Sequence, residues 1–256
     1  MRVRAGALTD VGRERAHNED ALAIVPEHHL YVVADGMGGH NAGEVASKLA
    51  VDAMVDFVRG ARERNDTPPA GYHMDDDPDR DLLVASIKAA NRAVLERAVG
   101  EQSGMGTTIV AALVGRDGTE LHIAHVGDSR CYRARGDRLE LLTRDHSLIN
   151  DYRAQMPDAP EEELENVPSN VITRAIGMHA QVEVDVLVDK PREGDVYLLC
   201  SDGLSGMLRD ADILAAVRAS ADAGRPDVQR LAERLIEDAN ERGGDDNITV
   251  VVLAFE

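Results

Sequence analysis

Several acids in this chain stand where an apolar run stops or starts. Asp35 closes "YVVADG", Asp202 lies one residue beyond the run in "VYLLCSDG", Asp128 follows "HIAHVG", and Asp245 and Asp246 precede "NITVVVL". A single Asp-Gly pair is most simply a tight turn, because both residues tolerate the backbone angles a turn needs. The set points further. Antiparallel strands bring such ends to one rim of a sandwich, and carboxylates gathered there repel one another and retain protons unless a cation intervenes. Hard divalent cations prefer oxygen ligands, so Mg²⁺ or Mn²⁺ is the natural occupant. The flanking glycines, Gly36 among them, let backbone come close to an ion or a substrate.

The glycine-rich stretch "GMGGHNAGE" invites a phosphate-cradle reading, and two forms of it fail. A P-loop needs Lys and then Ser or Thr after the glycines, and neither is present. A dinucleotide fingerprint needs G-x-G-x-x-G spacing, and Asn41 stands where the last glycine belongs. Arg15, in "TDVGRERAHNEDA", precedes Asn18, Glu19 and Asp20. A guanidinium binds phosphate through two parallel hydrogen bonds, and an Arg beside metal-holding carboxylates suits a phosphoryl site. Taken alone, Arg15 reads as a surface residue paired with Glu14 or Glu19.

These residues need elements to position them. Apolar residues recur at helical spacing over 45–58, on a face ending at Gly60, over 83–98, and over 228–239 behind Pro226, with a shorter helix at 211–219. Strand patterns fall at 21–25 and 30–34, joined by a Pro-containing turn, and at 107–114 and 120–126, joined by "GRDG". Others fall at 130–135 and 138–142, around Gly136 and Asp137, and at 182–188, 196–200 and 248–255. Hairpins dominate, so the sheets are expected to be mainly antiparallel. With helices outside them, the expected class is a layered α+β sandwich in a single domain, 1–256, without linker or repeat. Residues 61–81 are polar, acidic and Pro-containing and read as a surface insertion. Residues 147–170, with two Pro-flanked acidic stretches, read as short helices forming a flap beside a site.

The totals narrow the partners. At 256 residues the chain can bury a sizeable core, and 43% apolar residues is ordinary for a globular protein. Aromatics make up 3% with no Trp, which leaves few platforms for stacking bases. A formal net charge of −19 repels nucleic acid and anionic lipid, so neither nucleic acid nor membrane is expected as a partner. The acidity also has a bland reading, solubility. Cys131 and Cys200 lie in separate apolar runs and read as buried free thiols. The N-terminus lacks the apolar core of a secretory signal, so a cytoplasmic location is expected.

Together, "TDVGRERAHNEDA", "YVVADGMGGHNAGEVAS", "GMGTTIVAALV", "HIAHVGDSRCYRAR", "TRDHSL", "NVITRAIG", "VYLLCSDGLSGML" and "GGDDNITVVVL" resemble, in order, the motifs of bacterial type 2C metal-dependent serine/threonine protein phosphatases, the PPM class, from residue 9 to residue 253. The resemblance implies a four-layer α-β-β-α sandwich, two mainly antiparallel sheets flanked by helices, with a metal cluster in a cleft at one end. It implies hydrolysis of phosphoserine and phosphothreonine in proteins by water attacking phosphorus directly, supported by two Mn²⁺ or Mg²⁺ ions and a third, weaker one. By the same resemblance Asp35 bridges two ions, Gly36 offers its carbonyl, and Asp202 and Asp246 are further direct ligands. Glu19 and Asp20 act at or beside the ions, Asp128 helps hold the third, and Arg15 binds the phosphate.

One position departs from the pattern. Eukaryotic relatives carry a His directly after the Asp-Gly, a proposed general acid; here Met37 holds that place and His40 comes later. His40 either protonates the leaving oxygen or orders the Gly loop and the following helix. His17 and His146 read as local hydrogen-bonding residues. The implied partners are phosphoprotein substrates, with a cognate Ser/Thr kinase or an anti-sigma regulator among the candidates, met by a monomer. Two other readings are a non-catalytic binder on the same fold and a phosphoesterase acting on a small molecule or nucleotide. The intact carboxylates speak against the first, and the scarcity of aromatics against stacking a base.

Overall fold

Along the chain run β1 (Val3–Asp10), β2 (Asp20–Val25), β3 (Leu30–Met37), α1 (Ala42–Arg64), α2 (Pro78–Arg97), β4 (Gly106–Thr107), β5 (Ile109–Val114), β6 (Leu121–Val126), β7 (Arg130–Arg135) and β8 (Arg138–Leu141). There follow α3 (Leu148–Gln155), α4 (Glu161–Leu164), β9 (Asp185–Asp189), β10 (Val196–Cys200), α5 (Asp202–Ser205), α6 (Asp210–Ala219), β11 (Ala221–Asp222), β12 (Arg225–Pro226), α7 (Val228–Glu241) and β13 (Ile248–Phe255). The structure, a computed structural model, describes residues 1–38, 42–64, 77–164, 166–168, 171–222 and 225–256.

Among the described residues the two large sheets have the orders β1-β13-β10-β7-β8 and β2-β3-β5-β6-β9, with β4 beside β3 and neighbours antiparallel throughout. Helices α1 and α2 cover one sheet; α5, α6 and α7 cover the other. The strands serve two interiors at once. In β3, Leu30, Val32 and Ala34 face α1 and α2, while Tyr31 and Val33 face the opposite sheet. In β13, Ile248, Val250, Val252 and Ala254 pack toward α5 and α7, while Val251, Leu253 and Phe255 fill the space between the sheets. Burial on both faces accounts for the near-continuous apolar runs, and the result is the expected four-layer sandwich. Cys131 and Cys200 are buried free thiols on either side of one sheet. Among the described residues no helix is long and apolar enough to cross a membrane.

The boundaries differ from expectation in instructive places. β1 has no counterpart in the sequence reading, yet it pairs with β13 along its whole length. Its sequence "VRAGALTD" is poor in β-branched and aromatic residues. Gly6 has a packing reason: an added Cβ would lie 2.7 Å from the backbone of Val228 and Gln229, where α7 begins. α1 runs past Gly60 to Arg64, because Ala61, at 6% exposure, still packs on its core face. The insertion therefore shrinks at both ends, with 61–64 in α1 and 78–81 in α2, while 65–76 lie outside the described residues. The strand expected at 107–114 breaks at Thr108, whose N–H turns to the Asp35 carbonyl. The strand expected at 182–188 is β9, three residues later at its start.

Candidate active site

The layer between the two sheets turns polar at one end. Stepping by twos along each strand shows why. Tyr31 and Val33 are followed by Asp35; Leu22 and Ile24 are preceded by Asp20; Val110 and Ala112 by Thr108. On the other sheet Tyr197 and Leu199 are followed by Ser201, Val251 and Leu253 are preceded by Thr249, and Ala5 and Ala7 are followed by Thr9. The period that fills the middle core with apolar side chains thus delivers acids and hydroxyls to its rim. Asp20 and Asp35 are direct cross-strand partners.

Hydrogen bonds fix this rim. The Asp35 N–H donates to Thr108 Oγ1 at 3.0 Å, and its carbonyl accepts from the Thr108 N–H and the Thr107 hydroxyl, both at 2.8 Å. Thr108 Oγ1 also meets Ser129 Oγ at 2.6 Å, which ties down the loop bearing Asp128. Ser201, just before Asp202, donates to Asp20 Oδ2 at 2.8 Å. Asn247 joins the two chain ends: its Oδ1 accepts from the Glu19 N–H at 2.8 Å, and its Nδ2 donates to the carbonyls of Val11 and His17, each at 2.9 Å. Asp246 Oδ1 accepts from the Asn247 N–H at 2.8 Å, and Asp246 Oδ2 from Arg15 Nη2 at 2.7 Å. The Gly36 N–H donates to the Glu19 carbonyl at 3.1 Å. A Cβ added to Gly43 would overlap Glu19 Oε2, so the Glu19 carboxylate rests against the first turn of α1, where the helix dipole favours an anion.

The electrostatics set these acids apart from an ordinary solvated face. Asp20 Oδ1, Asp128 Oδ1 and Asp202 Oδ1 are buried and have no hydrogen-bond partner among the described residues. Burial first, and then neighbouring Asp20, Asp202 and Asp128, push the Asp35 carboxyl well above the usual range. Burial pushes Asp20 up to about 7 against the hydrogen bonds of Thr249 and Ser201, with Asp202 and Asp246 adding repulsion. Asp128 reaches about 7 through burial, Asp202 and Asp145. Asp202 and Glu19 are also raised, each chiefly by burial. Bare buried carboxylate oxygens that repel one another are the donor set of a hard divalent cation, and the residues present fit one.

Asp20, Asp35, Asp128, Asp202 and Asp246 come to one end of the molecule together with Glu19, Gly36 and Arg15. His40 lies outside the described residues. His17 accepts from Asn247 through its backbone carbonyl, and His146 accepts the Gly127 N–H on Nδ1 at 3.1 Å, a local bond. The sequence reading passed over Asn247, Ser201 and Thr108. The signal that finds them is a polar residue at an inter-sheet position of an otherwise apolar run.

Comparison with known proteins identifies the family to which this double sandwich, with acids gathered at one rim, belongs. Residues 11–239 match the family described as protein phosphatase 2C. The chain belongs to that family. It is 38% identical to the serine/threonine protein phosphatase PstP of Mycobacterium tuberculosis over 98% of its own length and 44% of that protein's. It is 34% identical to the serine/threonine phosphatase Stp of Listeria innocua over 96% of its length and 93% of that relative's. The chain thus spans about half the length of the mycobacterial relative. The crystal structure of M. tuberculosis PstP superposes with a TM-score of 0.82 at 36% identity, covering 99% of both chains. The PstP catalytic domain in complex with two manganese ions gives 0.78 at 36% identity, covering 98% of this chain and 97% of that one.

Proposed function

We propose that this chain is a metal-dependent protein serine/threonine phosphatase that hydrolyses phosphoserine and phosphothreonine in phosphoprotein substrates. The observation that carries the reading is the convergence of Asp20, Asp35, Asp128 and Asp202, three of them with a buried carboxylate oxygen left bare. On this reading Asp35, Asp202, Asp246 and the Gly36 carbonyl hold two Mn²⁺ or Mg²⁺ ions, Glu19 and Asp20 assist them, and Asp128 serves a third, weaker one. Such ions, when bound, lower the pKa of water and offset charge on a phosphoryl group. Arg15 guards the rim. Its side chain is 56% exposed and held by Asp246 alone among the contacts described, so its guanidinium can turn to two phosphoryl oxygens. Thr107 and Thr108 lock the Asp35 backbone, and Ser201 orients Asp20, so the carboxylates are positioned before substrate arrives. Both cysteines are wholly buried, which agrees with a reaction that uses no cysteine nucleophile. His40 is the candidate we retain for protonating the leaving oxygen.

Protein stripped with a strong chelator should not hydrolyse a phosphothreonine peptide, and Mn²⁺ or Mg²⁺ should restore turnover. Activity that persists at full rate in chelator overturns the proposal.

A further inference from the structure

The polar cluster at the other end of β6 has no part in the site just described. His122, on the α2-facing side of β6, has a side chain only 2% exposed. Its Nδ1 is buried and finds no hydrogen-bond partner among the described residues. That nitrogen points at Asp77 Oδ2, 3.4 Å away, without the alignment of a hydrogen bond. Asp77 is the N-cap of α2, and its other oxygen accepts the Arg80 N–H at 3.0 Å, which fixes the carboxylate. Glu120 immediately precedes β6, and ligand atoms of Asp77, Glu120 and His122 all lie within 4.8 Å of one another.

We propose that Asp77, Glu120 and His122 form a second divalent-cation site, distant from the aspartate cluster, that takes a borderline transition metal of the Zn²⁺ type. The 3.4 Å between His122 Nδ1 and Asp77 Oδ2 suits it. Two ligand atoms at about 2.0–2.1 Å from a tetrahedral ion stand roughly 3.4 Å apart. One imidazole nitrogen with two carboxylates is a donor set for Zn²⁺ and its neighbours more than for Mg²⁺ or Ca²⁺. Side-chain exposures of 32% for Asp77 and 36% for Glu120 leave an entry path. Lys190 Nζ, 3.7 Å from Glu120, is 81% exposed and easily displaced. A bound ion would clamp the first turn of α2 to the sheet. β6 keeps this end roughly 15–20 Å from Asp128.

The other compact His-Asp group among the described residues, His125, His146 and Asp185, has no room for an ion. His146 Nδ1 accepts the Gly127 N–H, so the proton sits on Nε2, and Arg174 Nη1 stands 3.4 Å from that nitrogen and 2.9 Å from Asp185. A guanidinium already occupies the place of the cation.

The test is equilibrium dialysis of the chelated protein against low-micromolar Zn²⁺, with metal counted by mass spectrometry. It compares wild type with Asp77→Asn/Glu120→Gln, in which Asn still caps α2, and with His122→Gln. Both variants should bind one Zn²⁺ equivalent fewer than wild type while keeping wild-type Mn²⁺-dependent turnover, which also shows that they fold. A wild-type zinc count in either folded variant overturns the proposal, whereas failure of the phosphatase reading would appear as lost Mn²⁺-dependent turnover in wild type itself.

Discussion

Single residues at the rim divide into those whose oxygens are left bare and those that hold the others in place. Asp202 is of the first kind: its Oδ1 has no hydrogen-bond partner among the described residues, and burial raises its pKa. Asp202→Asn keeps the shape and removes the charge, so turnover at ordinary Mn²⁺ should fall by about 10³-fold, while the chelated variant should melt no lower than chelated wild type. Full activity would remove Asp202 from the site. Asn247 is of the second kind, 6% exposed, with its amide engaged by Glu19, Val11 and His17. Asn247→Ala leaves those backbone groups unpaired and should lower stability by about 2–3 kcal/mol in urea denaturation. It should also raise the Mn²⁺ needed for half-maximal activity, and an unchanged requirement would deny it a positioning role. The two kinds were not equally legible. Acids announce themselves by interrupting apolar runs. Asn247 shows only as a polar residue at an inter-sheet position, and its role lies in partners more than two hundred residues away in sequence.

Elements carry the site by close approach as much as by strand register. β3 passes under the first turn of α1, and both Gly36 and Gly43 lack a side chain where their backbones meet Glu19. Gly43→Ala puts a methyl group where Glu19 Oε2 lies. It should displace that carboxylate and weaken Mn²⁺-dependent turnover at least tenfold, read from a metal titration of the folded protein. Gly6→Ala is the matched control: its Cβ would meet α7 backbone at 2.7 Å, on the outer face of β1. It should lower stability by about 1–3 kcal/mol and leave the turnover of folded protein unchanged, and equal effects of the two substitutions on turnover would sink the distinction. Strands buried on both faces were legible as long apolar runs, and α7 from its helical period. β1 was not legible, for the reason that Gly6→Ala probes: tight packing against α7 demands a small residue, and small residues erase the strand signature.

The molecule as a whole carries a net charge of −19, and it gathers part of that charge into one buried rim. Without cations the rim resists ionisation. Asp20 and Asp128 titrate at about 7, well above the ordinary 3.8 of an aspartate. A carboxyl whose pKa is raised by folding contributes stability that is full below its unfolded value and is lost as pH rises through its folded value. The window for these two groups therefore runs from about pH 4 to about pH 7. Buried histidines act in the opposite sense: burial lowers the pKa of His125 and His146, so their contribution is present above the unfolded value and fades on acidification. A single melting curve against pH would mix the two, so the informative quantity is a difference. In chelator, Asp20→Asn/Asp128→Asn should be more stable than wild type at about pH 8, and the gap should close toward about pH 5, because the histidines are common to both proteins. Mn²⁺ at the higher pH should then reverse the order, since binding to the folded state alone stabilises wild type more than a variant stripped of two carboxylates. A gap that stays constant across the range would mean that the rim acids ionise freely and that the cluster has no need of a cation.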